Sequence, residues 1–259
     1  MIPLSQPLVI AHRGASKQAP ENTLPAFTKA LTYKPSLVEL DYHHTKDNIL
    51  VVLHDEYLDR TTNAAEVWGR FENRVIEHTL EEIKRLDAGK WKSPEFEGTK
   101  IPTLKEAMDV IQKTSFTLIE RKDGEPKDLV SFLKREGWIT DVIVQSFDWD
   151  FIEELGTYSS AITLGSLGPP SGKYKGKVLT EKEKWLNAEF IEDIASRGAK
   201  FIGWNECVTA ESIALAHEKE LRVLIYTIDD PDFAEHLVSL GVDGIITNDP
   251  ETIAKRLRK

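Results

Sequence analysis

The 259 residues contain a single cysteine, Cys207. No internal disulfide can form, which excludes a small scaffold held by cross-links. Long apolar runs are also missing. The longest uninterrupted aliphatic run, Ile49 to Leu53, is far too short to span a bilayer. Basic charge is in deficit, with 33 Lys and Arg against 43 Asp and Glu and a formal net charge of −10. Such a chain repels phosphate backbones at long range, so nucleic-acid binding is not expected. A small phosphate ligand is compatible with that balance, because local charge can oppose the global sign. Met1 to Ile10 carries no Lys or Arg and runs straight into His12-Arg13, unlike a secretory leader, so a cytoplasmic location is the expectation. Several catalytic signatures are missing too. There is no G-x-G-x-x-G after the first strand, no Walker A motif, no G-x-S-x-G and no H-E-x-x-H. Dinucleotide-binding, P-loop, serine-hydrolase and zincin readings are therefore set aside.

What is present is a rhythm. Hydrophobic residues make up 41% of the chain and charged residues 29%, enough to bury a sizeable core. Short apolar, β-branched runs predict strands at Leu8–Ala11, Val38–Tyr42, Ile49–Leu53, Thr117–Glu120, Val142–Gln145, Ile162–Gly165, Phe201–Gly203, Arg222–Tyr226 and Gly244–Thr247. Amphipathic helical patterns fall between them. Thr103 with Glu106 and Thr79 with Glu82 read as capping boxes, in which side chains satisfy free amides at a helix start. Asp230-Pro231 and Asp249-Pro250 place a cap before a proline suited to the first helical turn. Alternation of strand and helix throughout implies a parallel sheet with right-handed crossovers. Allowing one extra strand, there are eight βα units, which predicts a (β/α)8 TIM barrel forming a single domain over residues 1–259. Residues from about 56 to 102 interrupt the rhythm. They read as an insertion on the catalytic face, with a helix at Leu80–Leu86. A second long loop, Gly168–Lys177, reads either as a mobile lid or as a plain surface loop.

In such a barrel the chemistry sits at the C-terminal ends of the strands. Glu39 and Asp41 are two apart on one strand, so their side chains share a face. Two neighbouring carboxylates repel, and either one takes up a proton or a cation neutralises them. Glu120, on a nearby strand, supplies a third oxygen. An all-carboxylate set favours a hard divalent cation, Mg²⁺ or Ca²⁺, with Mn²⁺ a further candidate. His12 and His54 fall at strand ends and form a candidate acid–base pair. Arg13 offers a planar fork and Lys122 a point charge for phosphate oxygens. His43 and His44 also follow the second strand, with no direction fixed for them. Together these residues suggest metal-assisted hydrolysis of a phosphate ester. A Mg²⁺-dependent lyase or isomerase on a phosphorylated substrate and a non-catalytic phosphate-ligand binding protein are the alternatives.

The ordered set His12-Arg13-Gly14-Ala15, Pro20-Glu21-Asn22-Thr23, Glu39-Leu40-Asp41, His54-Asp55, Asp59-Arg60-Thr61-Thr62-Asn63, Ile101-Pro102-Thr103-Leu104, Glu120 with Lys122, and Gly241-Val242-Asp243-Gly244 resembles the glycerophosphodiester phosphodiesterase family. The resemblance implies hydrolysis of glycerophosphodiesters such as glycerophosphocholine or glycerophosphoethanolamine to sn-glycerol 3-phosphate and an alcohol. It implies Glu39, Asp41 and Glu120 as metal ligands and His12 and His54 as the acid–base pair. Arg13 and Lys122 correspond to phosphate contacts, and Glu21 and Asn22 to polar residues at the edge of the substrate site. Trp204, at the end of a late strand, is a candidate for lining the glycerol or head-group pocket, or for simple packing. The chain departs from the family pattern at Ala64, Tyr226 and Asp229, and the last two bear on which alcohol is preferred.

Overall fold

The structure, a computed structural model, describes residues 7–170 and 172–258. In chain order the first part contains β1 (Leu8–Ala11), α1 (Leu24–Leu31), β2 (Leu37–His44), β3 (Leu50–Val52), α2 (Ala64–Trp68), α3 (Leu80–Ile83), α4 (Leu104–Ile111) and β4 (Phe116–Arg121). The rest contains α5 (Pro126–Glu136), β5 (Val142–Ser146), α6 (Trp149–Tyr158), β6 (Thr163–Leu167), β7 (Lys173–Tyr174), β8 (Lys177–Val178), α7 (Ala188–Ser196), β9 (Phe201–Trp204), α8 (Ala210–Glu218), β10 (Arg222–Ile225), α9 (Pro231–Ser239), β11 (Gly244–Thr247) and α10 (Pro250–Leu257). The main sheet has the order β1-β11-β10-β9-β6-β5-β4-β2-β3, and β1 also pairs with β2. That order returns to its start through eight strands and is the (β/α)8 barrel. β3 is the extra strand, antiparallel to β2 through Tyr42 opposite Val52.

The chain divides into two compact units. One comprises Ile10–Gly124 and Asn248–Glu251. In it β2 lies parallel to both β1 and β4, with Ala11 beside Val38 and Asp41 beside Glu120. All eight residues of β2 are buried, the polar Glu39 and Asp41 along with the apolar Val38, Leu40 and Tyr42 that alternate with them. Thr23 caps α1, and the expected Thr103–Glu106 box caps α4. The segment expected as an insertion has its own small core. Val51, Leu58, Ala64, Val75, Ile83 and Leu86 are buried in it, with Trp68 and Leu80 packed alongside. Its Thr79–Glu82 capping box is present, but α3 ends at Ile83 rather than Leu86, and tight turns continue the chain through Lys84 and Leu86. The five-residue α2 was not anticipated. It carries no side-chain cap and stops at Gly69 in the left-handed region, so neither periodicity nor a starting box marks it.

The other unit, Glu125–Thr247 with the described residues up to Val9 and from Thr252 onward, holds the parallel set β5, β6, β9, β10 and β11. Asp148 and Asp230 cap α6 and α9 by accepting the amides of Phe151 and Phe233. Asp249 accepts Lys17 Nζ at 2.8 Å. Within the loop Gly168–Lys177, β7 pairs with β8 as a short antiparallel hairpin turning at Lys175-Gly176, while Ser171 lies outside the described residues. No helix among the described residues is long and apolar enough to cross a membrane.

Candidate active site

The chain leaves β1 through a turn that only a particular backbone can make. Arg13 has φ 55° and Gly14 φ 81°. A Cβ on Gly14 would lie 2.6 Å from the backbone carbon of Ala26, so the close approach of α1 requires glycine here. The turn aims the Arg13 amide at Glu39, donating to Oε2 at 2.8 Å. Asn22, also left-handed at φ 58°, donates its side-chain amide to Asp41 Oδ2 at 2.8 Å.

Glu39 and Asp41 share one face of β2, and the parallel register sets Glu120 of β4 directly beside Asp41. All three carboxylates are buried, and one oxygen from each lies within 4.8 Å of the others. Two cations reach this cluster. Lys122 Nζ lies 3.0 Å from Asp41 Oδ1 and bonds Glu120 closely, and Arg13 Nε lies 3.3 Å from Asp41 Oδ2. Asp41 is held well below the ordinary carboxylate range by the Lys122 and Arg13 charges, which outweigh its burial. Glu39 is pushed well up by burial and by the neighbouring Asp41 and Glu120 charges, and Glu120 is pushed up to about 7 by burial and Asp41. Fully ionised, the three carboxylates would outnumber the two cations, and without further positive charge the site keeps protons on Glu39 and Glu120 instead. Glu39 Oε1 is buried with no hydrogen-bond partner among the described residues. That orphaned oxygen, in an all-oxygen donor set, fits a hard divalent cation.

The two imidazoles are oriented from behind. His12 Nδ1 bonds Asn248 Oδ1 at 2.7 Å, and an amide oxygen only accepts, so the proton sits on Nδ1 and Nε2 is the ring's free acceptor. Burial, aided by Arg13, lowers the His12 pKa to about 4. His54 Nδ1 bonds Asp55 Oδ1 at 2.6 Å, and burial lowers its pKa as well. The main-chain carbonyl of His54 is bonded by His43 Nε2 at 3.1 Å, and the carboxylate of Asp123 bonds both His43 and His44. Those two histidines are thus buried supports for the strand end rather than exposed groups.

Nine of the ten expected site residues lie in one unit: His12, Arg13, Glu21, Asn22, Glu39, Asp41, His54, Glu120 and Lys122. Glu21 accepts Arg13 Nη1 at 2.8 Å and also pairs with Arg60. Trp204 belongs to the other unit. There its indole is fully buried, donates to the Lys184 carbonyl at 3.1 Å and packs against Phe190. Tyr226 and Asp229 are in that unit too, bonded to the Gly168 carbonyl and the Thr247 hydroxyl. Sequence reasoning assigned no part to Asn248, although it directly follows β11 and the rule of strand ends would have found it. Asp55 and Arg60 lie within the motifs His54-Asp55 and Asp59-Arg60-Thr61-Thr62-Asn63, with no role readable from the sequence.

A parallel (β/α)8 barrel with three buried carboxylates, two imidazoles and two cations at strand ends fits an enzyme that acts on a phosphate ester. The sequence profile of the glycerophosphoryl diester phosphodiesterase family matches residues 12–252. A glycerophosphodiester phosphodiesterase of Caldanaerobacter subterraneus subsp. tengcongensis is 35% identical over 97% of this chain and 98% of its own length. One from Bacillus subtilis is 29% identical over 96% of this chain and 85% of its own length. Among solved structures, a phosphodiesterase of Oleispira antarctica in complex with the product sn-glycerol-3-phosphate superimposes with a TM-score of 0.84 at 26% identity, covering 98% of this chain and 97% of that one. The chain belongs to the glycerophosphoryl diester phosphodiesterase family.

Proposed function

We infer that the protein hydrolyses glycerophosphodiesters, such as glycerophosphocholine and glycerophosphoethanolamine, to sn-glycerol 3-phosphate and an alcohol. The observation that carries this reading is the buried triad Glu39, Asp41 and Glu120 with an orphaned carboxylate oxygen, paired with the cations Lys122 and Arg13. Mg²⁺ or Ca²⁺, with Mn²⁺ third, is the ion proposed for the triad. When bound, it would supply positive charge to the phosphoryl oxygens. Arg13 and Lys122 add fixed charge where the phosphorus centre gains negative charge in the transition state. Glu21 and Asn22 border the substrate and act through the groups they hold, Arg13 and Asp41.

Hydrolysis needs one proton removed from the attacking hydroxyl and one delivered to the departing alkoxide, and His12 and His54 are proposed for these two transfers. His12 is neutral near pH 7, so its Nε2 can accept a proton, while the Asn248 bond keeps the ring from turning. Trp204 is proposed to shape the pocket through packing. The acidic chain is proposed to act as one barrel domain in the cytoplasm on a small-molecule substrate, with no role for nucleic acid.

A leaving-group test checks the two transfers. With a p-nitrophenyl phosphodiester, whose leaving group needs no proton, the variant lacking the general acid recovers activity and the variant lacking the base does not. Equal losses on both substrates in both His12→Ala and His54→Ala would remove the acid–base pairing. Release of sn-glycerol 3-phosphate from a diester separates the hydrolase from an enolate-forming lyase and from a binding protein.

A further inference from the structure

Arg60 lies on the loop after β3, half exposed, and the family-level reading gives it nothing to do. Its guanidinium presents two hydrogen-bonding edges, and both are filled by carboxylates. Nε and Nη2 donate to Asp55 Oδ2 at 2.5 Å and Oδ1 at 3.0 Å. Nη2 and Nη1 donate to Glu21 Oε1 at 2.7 Å and Oε2 at 3.1 Å. Each carboxylate then passes the order on. Asp55 Oδ1 bonds His54 Nδ1, and Glu21 Oε1 accepts Arg13 Nη1. The chain His54–Asp55–Arg60–Glu21–Arg13 is therefore continuous, and every link is a charge-assisted or imidazole bond of 3.1 Å or less. Arg13 in turn donates its amide to Glu39.

We propose that Arg60 is a positioning residue that sets the proton-transferring imidazole of His54 and the phosphate-binding guanidinium of Arg13 in mutual register, by clamping Asp55 and Glu21 on opposite edges of one planar group. The proposal rests on the hydrolase reading above. The planar fork matters because two carboxylates must be held at once at fixed angles. A lysine ammonium in the same place is a point charge on a flexible stem and cannot offer two parallel pairs. A merely structural arginine would leave the two ends independent of each other.

Replacement of Arg60 has a consequence specific to this arrangement. Without the guanidinium, Asp55 and Glu21 keep their negative charge, and His54 faces a carboxylate no longer neutralised from behind. The other charges acting on His54 are those of Asp41, Lys122 and Arg13, of which only Arg13 is tied to Arg60 through Glu21. The His54 imidazole therefore holds its proton to higher pH, and the limb of the rate profile that it governs moves up.

The experiment compares wild type, Arg60→Ala and Arg60→Lys. It measures kcat and KM on glycerophosphoethanolamine against pH, and the His54 imidazole titration by NMR in the metal-free protein. In Arg60→Ala, kcat falls about 10- to 100-fold, the size expected when reacting groups lose alignment. The His54 titration rises by about one pH unit, the size of a nearby charge effect. Arg60→Lys keeps the fold and charge yet recovers only part of kcat. An unmoved His54 titration with kcat within twofold of wild type, in either variant, overturns the proposal. So does a loss of kcat in Arg60→Ala that Arg60→Lys fully repairs. If Arg60→Ala does not fold, Arg60→Lys carries the same test. If the wild type releases no glycerol 3-phosphate, the hydrolase reading fails, and the NMR titration still decides the coupling by itself.

Discussion

Stripping the divalent cation from the carboxylate triad should turn the site into a proton store. In the metal-free protein Glu120 titrates at about 7 and Glu39 lies well above its ordinary value, because burial and the neighbouring carboxylates disfavour a further negative charge. At pH 6, one unit below, about nine in ten molecules carry a proton on Glu120, by the definition of a pKa. A hard cation binds carboxylates in the ionised form, so its entry must expel that proton, and the raised pKa of Glu39 acts in the same direction. About 0.9 proton should leave from Glu120 per ion bound at pH 6, with any release from Glu39 in addition, and affinity should rise with pH up to about 7. The same shift has a stability sign. A carboxyl whose folded pKa is raised favours the folded state when protonated, so the Glu120 contribution to metal-free stability is full below about pH 4.5 and is lost as pH climbs through about 7, while His12, whose pKa is lowered to about 4, contributes in the opposite sense. For Glu120 alone that fall is on the order of 3 kcal/mol. Added Mg²⁺ should restore it above pH 7. Calorimetric titration at pH 6 in two buffers of different ionisation enthalpy counts the protons, and thermal melts across pH 5 to 8 follow the stability. Saturable binding with no proton release would refute the reasoning.

Three further outcomes follow from the same geometry. His12→Ala and His54→Ala should each leave a folded protein with kcat on natural diesters lowered by about 10²- to 10⁴-fold, and near-wild-type turnover in either removes that residue from proton transfer. Leu58 is fully buried in the insertion's own core, so Leu58→Ala should cost about 2–5 kcal/mol in denaturant unfolding; a change under about 0.5 kcal/mol would mean that core contributes nothing measurable. Gly14→Ala should cripple both stability and metal affinity, since its Cβ would strike the Ala26 backbone and displace the turn that aims the Arg13 amide at Glu39; wild-type melting and metal titration would contradict the turn's importance.

Much of this site could be read before any coordinate. Strand ends are places where side-chain direction is set by a period of two, so Glu39 and Asp41 could be put on one face from spacing alone. The register with Glu120 could not, because it depends on which strands become neighbours, and adjacency is a property of closure rather than of any local run. Capping boxes at Thr79 and Thr103 were legible because the chemistry is local. The helix Ala64–Trp68 was not, because a single turn without a cap is stabilised only by the tertiary core it joins. The supporting partners were the least visible. Asn248 bonds His12 across 236 positions, and Arg60 bonds Glu21 across 39. Such pairs have no sequence period to betray them. His43 and His44 illustrate the same limit, since only the fold reveals Asp123 waiting for both.

The measurement that tests the central claim most directly is release of sn-glycerol 3-phosphate from glycerophosphocholine and glycerophosphoethanolamine by EDTA-treated protein, with Mg²⁺, Ca²⁺ or Mn²⁺ added back, for wild type and Glu39→Gln side by side. Release should stop without metal, return with at least one ion, and require much more of that ion in Glu39→Gln. Release undiminished by EDTA, or a metal titration identical in the two proteins, would contradict the carboxylate triad as the seat of the chemistry.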